Sequence, residues 1–356
     1  MIISIRSLAD SDERAQLMAL LCRVIDARQP ITTTHVDGRD VIVLAGGALD
    51  EQASALLKQQ SAVECLLAVK TPYQLVSRAF KPEGSSIVVG EQTGGDPVTI
   101  GSERGAPVII AGPCSVEGRE QILANAAAVK AAGAHILRGG AFKPRTSPYQ
   151  FQGLGLEGLE LLAEARVATG LPVITEVMEP GMVETVAQYA DILQIGSRNM
   201  QNYPLLQAVG RNSQQRPVML KRGFAATIDE WLLAAEYVVA AGNPDVILCE
   251  RGIRSFDTHT RNVLDLTCVP LLHELTHLPI IVDPSHATGR RELVPMMSRA
   301  AIAAGADGLI LEAHLDPESA VSDGRQTITI ERLQGIVRQT SMIARIMQES
   351  DIEQVA

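Results

Sequence analysis

The sequence has no long hydrophobic run. None of its 356 residues lies in a stretch that approaches the roughly 18 unbroken apolar residues of a membrane helix. The first residues, MIISIRSLADSDERAQ, carry acids and arginines where a signal peptide has its apolar core. We therefore expect a soluble, cytoplasmic protein with no membrane partner.

Cysteine and basic residues are also scarce. The five cysteines, at positions 22, 65, 114, 249 and 268, are odd in number and far apart, which argues against a disulfide framework and for a reducing compartment. Lys and Arg number 31 against 41 Asp and Glu, a net charge of −10. No basic run offsets this charge, so nucleic acid is not an expected partner. An anionic ligand would need a local group of cations.

The first 78 residues predict a small domain. A strand, a helix and a hairpin with its turn at Asp37-Gly38 are predicted first, and a second helix and a last strand follow. The order βαββαβ is that of a ferredoxin-like α+β domain. This part carries no evident chemistry, and it is either a structural or dimerising appendage or a regulatory ligand-binding domain. Residues 79–106, rich in Gly, Pro and Ser with short pieces IVV and VTI, predict a linker with a small hairpin.

Residues 107–350 predict a closed barrel. Eight short apolar runs recur with helical stretches between them, at a mean period of about 29 residues, which is typical of a (β/α)8 TIM barrel. A doubly wound open sheet is the alternative, but eight nearly equal units favour closure. The runs are PVIIAG, HILRGG, PVITEV, DILQIG, PVMLKRG, DVILCERG, PIIVDPSH and GLILEAH.

Polar side chains follow nearly every one of these strands, at the end where barrel enzymes place their active sites. Strands one, seven and eight become neighbours on closure, and they bring a thiolate, an imidazole and two carboxylates together. Such a mixed donor set suits a divalent first-row metal ion. His314, which points to the same face as one of the carboxylates, is expected close behind. The candidate metal ligands are Cys114, His286, Glu312 and Asp323.

A cysteine after the first strand has other possible roles. Cys114 could fill a buried gap, form half of a disulfide or act as a nucleophile. The compartment argues against a disulfide, and the position at the catalytic end argues against a simple filler. The nucleophile stays open at this point.

A second group after the other strands is basic. Structural ion pairs with Glu176 and Glu250 are the simpler interpretation, but guanidinium forks suit phosphate and carboxylate. Their number indicates more than one anionic group, and so two phosphorylated substrates beside one metal ion. The cations are Arg138, Lys143, Arg145, Arg198, Lys221 and Arg251.

Two motifs are set aside. HELTH at 273–277 matches a zinc-protease pattern, but Pro279 and the seventh strand follow at once, so it lies at the opposite end of the barrel. GLGLEG at 153–158 fits G-x-G-x-x-G but follows a long loop instead of a strand, which argues against dinucleotide binding and for a lid-like loop entering the second helix.

The strand-end motifs together carry a resemblance. AGPCSVE, LRGGAFKPRTSPYQFQGLGLEGL, QIGSRNMQN, LKRGFAATIDEW, CERGIRSF and VDPSHATGRR resemble 3-deoxy-D-arabino-heptulosonate 7-phosphate (DAHP) synthases of the type I-beta, which carry an N-terminal ferredoxin-like domain. VKTPYQLVSRAFKPE at the domain junction resembles the same subtype. The resemblance covers nearly the whole chain.

The resemblance implies an activity and a set of roles. The family condenses phosphoenolpyruvate with erythrose 4-phosphate, the first step of the shikimate pathway, with one divalent ion, Mn²⁺, Fe²⁺, Co²⁺ or Zn²⁺. By resemblance, Cys114, His286, Glu312 and Asp323 hold the metal. The substrate contacts it implies are Arg198 and Arg251 for the phosphate of phosphoenolpyruvate, Arg138, Lys143 and Lys221 for its carboxylate, and Arg145, Thr146 and Ser147 for erythrose 4-phosphate.

The proton donor and the rivals stay open. Lys143, Asp283 or a metal-bound water could protonate the aldehyde oxygen. A related barrel enzyme, 3-deoxy-manno-octulosonate 8-phosphate synthase, has an Asn-containing motif where this chain reads KPRTS, which favours the heptulosonate. A non-catalytic binding protein on a decayed barrel is a second rival. Relatives also imply an aromatic amino acid effector at the N-terminal domain and a homo-oligomer, a tetramer.

Overall fold

The computed structural model describes residues 1–26, 29–36, 38–44, 49–101, 106–144 and 147–355, with side chains to residue 349. The first part forms an antiparallel sheet with the strand order β2-β3-β1-β4, and this confirms the ferredoxin-like arrangement. Gly38 of the predicted turn has a φ of 73°, and Asp37 lies outside the described residues. The elements are β1 (Ile2–Ile5), α1 (Ser11–Val24), β2 (Ile31–Val36), β3 (Arg39–Leu44), α2 (Glu51–Lys58) and β4 (Val63–Leu67).

The predicted linker hairpin is present and has a packing role. Strands β5 (Ser86–Val89) and β6 (Val98–Gly101) pair antiparallel. Ile87, Val89 and Ile100 are buried against the side chains that fill the inside of the barrel. The hairpin therefore closes the N-terminal end of the barrel.

The eight predicted barrel strands are confirmed. They form a closed parallel sheet in which the last strand pairs with the first. The strands are β7 (Val108–Gly112), β8 (Ile136–Arg138), β9 (Val173–Glu176), β10 (Ile192–Ile195), β11 (Val218–Lys221), β12 (Val246–Glu250), β13 (Ile280–Val282) and β14 (Gly308–Glu312). The helices are α3 (Arg119–Ala131), α4 (Leu156–Thr169), α5 (Val183–Tyr189), α6 (Tyr203–Gly210), α7 (Ile228–Ala240), α8 (Cys268–Leu275), α9 (Pro284–Thr288), α10 (Val294–Ala303) and α11 (Ile330–Val355).

Side chains fill the inside of the barrel. Every strand contributes at least one fully buried side chain to an interior cluster, as packed barrels of this class require. Within the described residues no helix combines the length and apolarity needed to cross a membrane. The interior cluster contains Ile110, Ile136, Ile174, Ile192, Met219, Ile247, Cys249, Ile281 and Ile310.

The segment 72–85 fastens the N-terminal domain to the closed end of the barrel. The buried carboxylate of Glu236 on α7 accepts hydrogen bonds from the backbone N–H groups of Leu75, at 2.9 Å, and Val76, at 3.0 Å. His277 lies between the Leu75 carbonyl and the Ser85 hydroxyl, 2.8 Å from each. The HELTH motif thus lies at the domain junction, opposite the catalytic end, and its last histidine is structural.

Candidate active site

The four candidate metal ligands meet at the C-terminal rim. The Cys114 thiol, the Glu312 carboxylate and the Asp323 carboxylate each place a ligand atom within 4.8 Å of the other two. The Cys114 Sγ donates to Asp323 Oδ2 at 3.0 Å. His286 joins through Glu312, with 3.1 Å between His286 Nε2 and Glu312 Oε1. Barrel closure therefore brings together the residues that the sequence places on strands one, seven and eight.

One oxygen of this group has no hydrogen-bond partner within the described part of the chain. Glu312 Oε1 is buried, and its neighbours His286 and Arg138, at 3.1 and 3.3 Å, are close enough for charge attraction without being aligned for a hydrogen bond. A buried acceptor left unpaired costs about 1–3 kcal/mol. Burial alone would raise the Glu312 pKa, but the charges of His286 and Arg138 hold it below its ordinary value. A free carboxylate oxygen beside a thiol, an imidazole and a second carboxylate fits a divalent cation.

Asp323 has an unusual backbone. Its φ is 56°, in the left-handed region that few residues other than glycine, Asn and Asp adopt. Gly324 follows, and the Asp323 carbonyl accepts the Thr327 hydroxyl at 3.0 Å. The turn holds the carboxylate against Cys114 at a cost in backbone strain, as is common at functional sites.

A cavity of about 250 Å³ opens beside the metal candidates. All five of the predicted cations that are described line it: Arg138, Lys143, Arg198, Lys221 and Arg251. Arg145 and Thr146 lie outside the described residues, so their predicted contacts stay predictions. Ser147 is described, but it is not part of the cavity wall.

The cations are held in different ways. Arg138 Nη1 is buried and has no hydrogen-bond partner among the described residues, so this donor is available to a bound anion. Lys221 Nζ lies 2.7 Å from Asp283 Oδ2. Lys143 Nζ lies 2.8 Å from the Cys114 carbonyl and 2.9 Å from its sulfur. A Cβ at Gly140 would come within 2.7 Å of the Lys143 side chain, so this approach needs glycine.

Asp283 orients the side chains of its neighbours. It is fully buried at the end of β13, where it caps α9 by accepting from the His286 backbone N–H at 2.9 Å. Its other oxygen lies 2.7 Å from His286 Nδ1. Burial would raise the Asp283 pKa, but His286 and Lys221 hold it well below its ordinary value. The carboxylate therefore fixes the imidazole so that Nε2 faces Glu312.

Sequence reasoning missed several residues of the cavity. Phe224 lies beneath three guanidinium groups, those of Arg198, Arg251 and Arg254, at 5.6, 4.8 and 5.0 Å from its ring centre. Its position just after the LKRG strand end was the one available signal. Arg261 also lines the cavity, as does Glu176, which the sequence offered only as a salt-bridge partner.

Comparison with known proteins identifies the family. A family model described as the DAHP synthetase I family matches residues 86–349. The chain belongs to this family. The resemblance carried by the strand-end motifs is confirmed.

The relatives of this chain include both heptonate and octonate aldolases. The chain is 51% identical over 282 residues to phospho-2-dehydro-3-deoxyheptonate aldolase of Thermotoga maritima. The matched region covers 79% of this chain and 80% of the relative. A crystal structure of DAHP synthase from the same organism matches with a TM-score of 0.74 and 43% identity, covering 97% of each chain. A 2-dehydro-3-deoxyphosphooctonate aldolase of Bradyrhizobium diazoefficiens is 36% identical over 249 residues, 65% of this chain and 86% of that protein.

Proposed function

We propose that the chain condenses phosphoenolpyruvate with erythrose 4-phosphate and water to give DAHP and phosphate. The observation that carries the proposal is the cavity lined by five predicted cations directly beside Cys114, His286, Glu312 and Asp323. A site for two phosphorylated substrates needs such a density of fixed positive charge in an otherwise acidic protein.

One divalent metal ion would be held by Cys114, His286, Glu312 and Asp323. When bound, it supplies a Lewis acid next to the aldehyde oxygen, which gains negative charge in the reaction. The unpaired Glu312 Oε1 and the soft and hard donors around it support this assignment.

Phosphoenolpyruvate binds in the cation-lined cavity. The unpartnered Arg138 Nη1 supports carboxylate binding there, together with Lys143 and Lys221. Arg198 and Arg251, which both lie against the Phe224 ring, hold the phosphate. The acceptor lies toward the KPRTS loop, as the sequence predicts. Neutralising both anions and fixing them face to face supplies much of the rate enhancement.

The bonds and protons balance without a further reactant. C3 of phosphoenolpyruvate bonds to the aldehyde carbon, and the oxygen of water adds to C2. One proton of that water ends on the new alkoxide. The other goes to the phosphate, which leaves as the C2–O bond breaks and a ketone forms.

We assign the proton donation to Lys143 rather than to Asp283. Lys143 lines the cavity and places its ammonium group beside Cys114. Asp283 is fully buried, already engaged with Lys221 and His286, and held as the carboxylate by both. A group in that state orients its neighbours and has no proton to give near neutral pH.

An assay of aldehyde preference tests the proposal. The full chain, supplied with Mn²⁺ and phosphoenolpyruvate, should use erythrose 4-phosphate far better than arabinose 5-phosphate. A chelator should abolish the activity, and added metal should restore it. Full activity in metal-free protein would contradict the metal dependence, and phosphoenolpyruvate binding without turnover would support the non-catalytic alternative.

Octulosonate synthesis is the second candidate, because a relative of that name is 36% identical. The KPRTS sequence of this chain and the higher identity to the heptonate enzyme favour erythrose 4-phosphate. A strong preference for arabinose 5-phosphate in the same assay would reverse the choice.

We further propose that residues 1–78 bind an aromatic amino acid that inhibits the enzyme. A surface cavity of about 380 Å³ there combines apolar Ile5 and Met18 with the ion pair of Arg14 and Asp40. Opposite charges beside apolar side chains suit a zwitterion with a large side chain. Inhibition of the full chain by phenylalanine or tyrosine, lost in Arg14→Met, tests the assignment; an enzyme indifferent to both amino acids would refute it. The tetramer and the cytoplasmic location stay predictions.

A further inference from the structure

Gln326 bridges the candidate metal group and an exposed arginine. The side chain is 3% exposed, although it belongs to the loop that follows the last barrel strand. Its amide Nε2 donates to Glu312 Oε2 at 2.5 Å. Its amide Oε1 accepts from Arg261 Nη1 at 3.1 Å.

The chemistry of the two neighbours fixes which end of the amide faces which. Arg261 can only donate, and the Glu312 carboxylate can only accept. Glutamine carries one acceptor and one donor group, so one orientation satisfies both partners and the flipped orientation satisfies neither. Removing Arg261 would take away the donor to the amide oxygen, so the amide would be held by Glu312 alone and less firmly.

The backbone around Gln326 is held in register with Glu312. The Ile328 N–H donates to the Glu312 carbonyl at 2.9 Å, and the Gln326 N–H donates to the Asp323 carbonyl at 3.2 Å. The amide is therefore attached to a segment that is itself tied to two of the candidate metal ligands. It holds Oε2 of Glu312 while Oε1 keeps no hydrogen bond.

Arg261 belongs to a segment that also reaches the His286 helix. Its backbone N–H donates to the Thr288 carbonyl at 3.0 Å, and the Asn262 amide donates to the His286 carbonyl at 3.2 Å. Arg261 lines both the catalytic cavity and a neighbouring cavity of about 960 Å³. The segment after β12 thus touches the metal group at two points.

We infer that Gln326 is a positioning residue, whose amide fixes Glu312 for the metal ion and is itself held in place by Arg261. This inference rests on the metal centre proposed above. Hydrogen-bond partners of metal ligands change metal affinity by about 10–100-fold when they are removed. Gln326 would act through Glu312 and is not one of the four residues proposed to hold the ion.

The test is Co²⁺ binding by the metal-free full chain. Titration measures the affinity, and the absorption band of the Cys114 thiolate bound to Co²⁺ reports on the geometry of the site. Gln326→Met, which keeps the volume and removes the amide, should weaken Co²⁺ binding about 10–100-fold and alter the band. The control is Gln74→Met, because Gln74 is a comparably buried glutamine that bonds the Leu44 carbonyl in the N-terminal domain. It should leave affinity and band unchanged.

Variants at Arg261 test the support of the amide, and Arg261→Lys keeps the positive charge that Arg261 also places 3.9 Å from Asp323 Oδ1. Arg261→Met should weaken Co²⁺ binding less than Gln326→Met does, and Arg261→Lys, which keeps a donor, should restore most of the affinity. If Gln326→Met does not fold, Gln326→Asn withdraws the amide by one methylene and takes its place. Wild-type affinity and spectrum in the folded Gln326 variant overturn the inference. A wild-type chain that binds no Co²⁺ overturns the metal centre first, and the inference with it.

Discussion

Cys114 illustrates how its surroundings select the chemistry of one side chain. Burial raises the pKa of the thiol to about 12, and the nearby Glu312 carboxylate adds to this. On its own the group stays a protonated thiol that donates to Asp323. This argues against the nucleophile that the sequence left open, since the thiolate is the reactive form. A cation is needed to displace the proton, which is the condition for a metal ligand.

Replacing Cys114 should remove the metal and the activity together. We expect Cys114→Ala to lose most of its metal and at least about 100-fold in kcat/KM, because Lewis-acid stabilisation is worth several kcal/mol. Metal analysis of the purified protein and steady-state kinetics measure both. The control is Cys249→Ala, which deletes another buried thiol from the barrel interior and should lower stability while metal content is kept. Wild-type metal content in Cys114→Ala would contradict the assignment.

The residues at strand ends made much of the site predictable, but the sequence did not predict its amide and aromatic side chains. Charged residues directly after apolar runs identified Cys114 and the lining cations, because barrel closure collects strand ends on one rim. Gln326 lies within SDGRQ, a sequence that reads as an ordinary polar turn. Its buried amide accepts from Arg261, 65 residues away in the chain. No local pattern encodes that contact. Sequence alone also could not choose between Lys143 and Asp283 as the proposed acid, since Asp283 pairs with Lys221 at the end of a strand two places away in the barrel.

At the scale of elements, the β5–β6 hairpin does more than link two domains. Alternate residues of each strand face the barrel interior, as the two-residue period of a strand requires. Ile87 and Ile100 are almost fully buried there, whereas Val88 between the hairpin's inward residues is 49% exposed. The hairpin is part of the barrel core.

Truncating an inward residue of the hairpin should therefore cost as much as a core mutation. We expect Ile100→Ala to lower the free energy of unfolding by about 2–5 kcal/mol, through lost burial and the cavity left behind. Val88→Ala, the outward control on the same hairpin, should change it by less than about 0.5 kcal/mol. Urea unfolding measures both. Equal effects of the two substitutions would show that the hairpin is only a tether.

The sequence predicted that these strands exist, but it did not predict what they pack against. IVV and VTI are visible as short strands, and eight evenly spaced runs predict closure. Which face of a three-residue run is buried depends on the barrel interior, which lies elsewhere in the chain. The alternation is too short to settle it, so the linker looked like a passive connection.

At the scale of the whole molecule, the two parts share a polar joint. The Glu236 carboxylate accepts from the backbone N–H groups of Leu75 and Val76. His277 donates through Nε2 to the Leu75 carbonyl, and its Nδ1 accepts from the Ser85 hydroxyl. The N-terminal sheet also contributes apolar residues to the core cluster of the barrel. The sequence showed a change of pattern near residue 79, but it could not show that the preceding segment is fastened to α7 and α8. The boundaries at 78 and 106 stay predictions.

The joint should make stability depend on pH through Glu236. Burial raises the Glu236 pKa, and the backbone N–H groups of Leu75 and Val76 oppose this only in part. The folded state then binds the proton more tightly than the unfolded state. The stabilisation is fully present below the pKa that Glu236 has in the unfolded chain, about 4.3. It is lost as the pH rises through the higher pKa that Glu236 has in the folded protein.

Glu236→Gln removes the titrating group and tests this sign. We expect wild-type stability to fall relative to Glu236→Gln as pH rises above about 4.3, by at most about 1.4 kcal/mol per pH unit. Chemical unfolding of both proteins between acidic and neutral pH measures the difference. A difference that does not vary with pH would contradict the expectation.

Closure of one end of the barrel has a kinetic consequence. The hairpin and segment 72–85 cover the N-terminal end, so the catalytic cavity is reached from the rim. Arg138 and Lys221 are buried in its wall, whereas Ser147 is half-buried and is not part of the wall. In the proposed assignment both substrates enter through this rim, and phosphoenolpyruvate, which binds the buried cations, has to arrive first. The enzyme should follow a compulsory order of addition, and an unreactive acceptor analogue should slow the escape of the reactant bound beneath it.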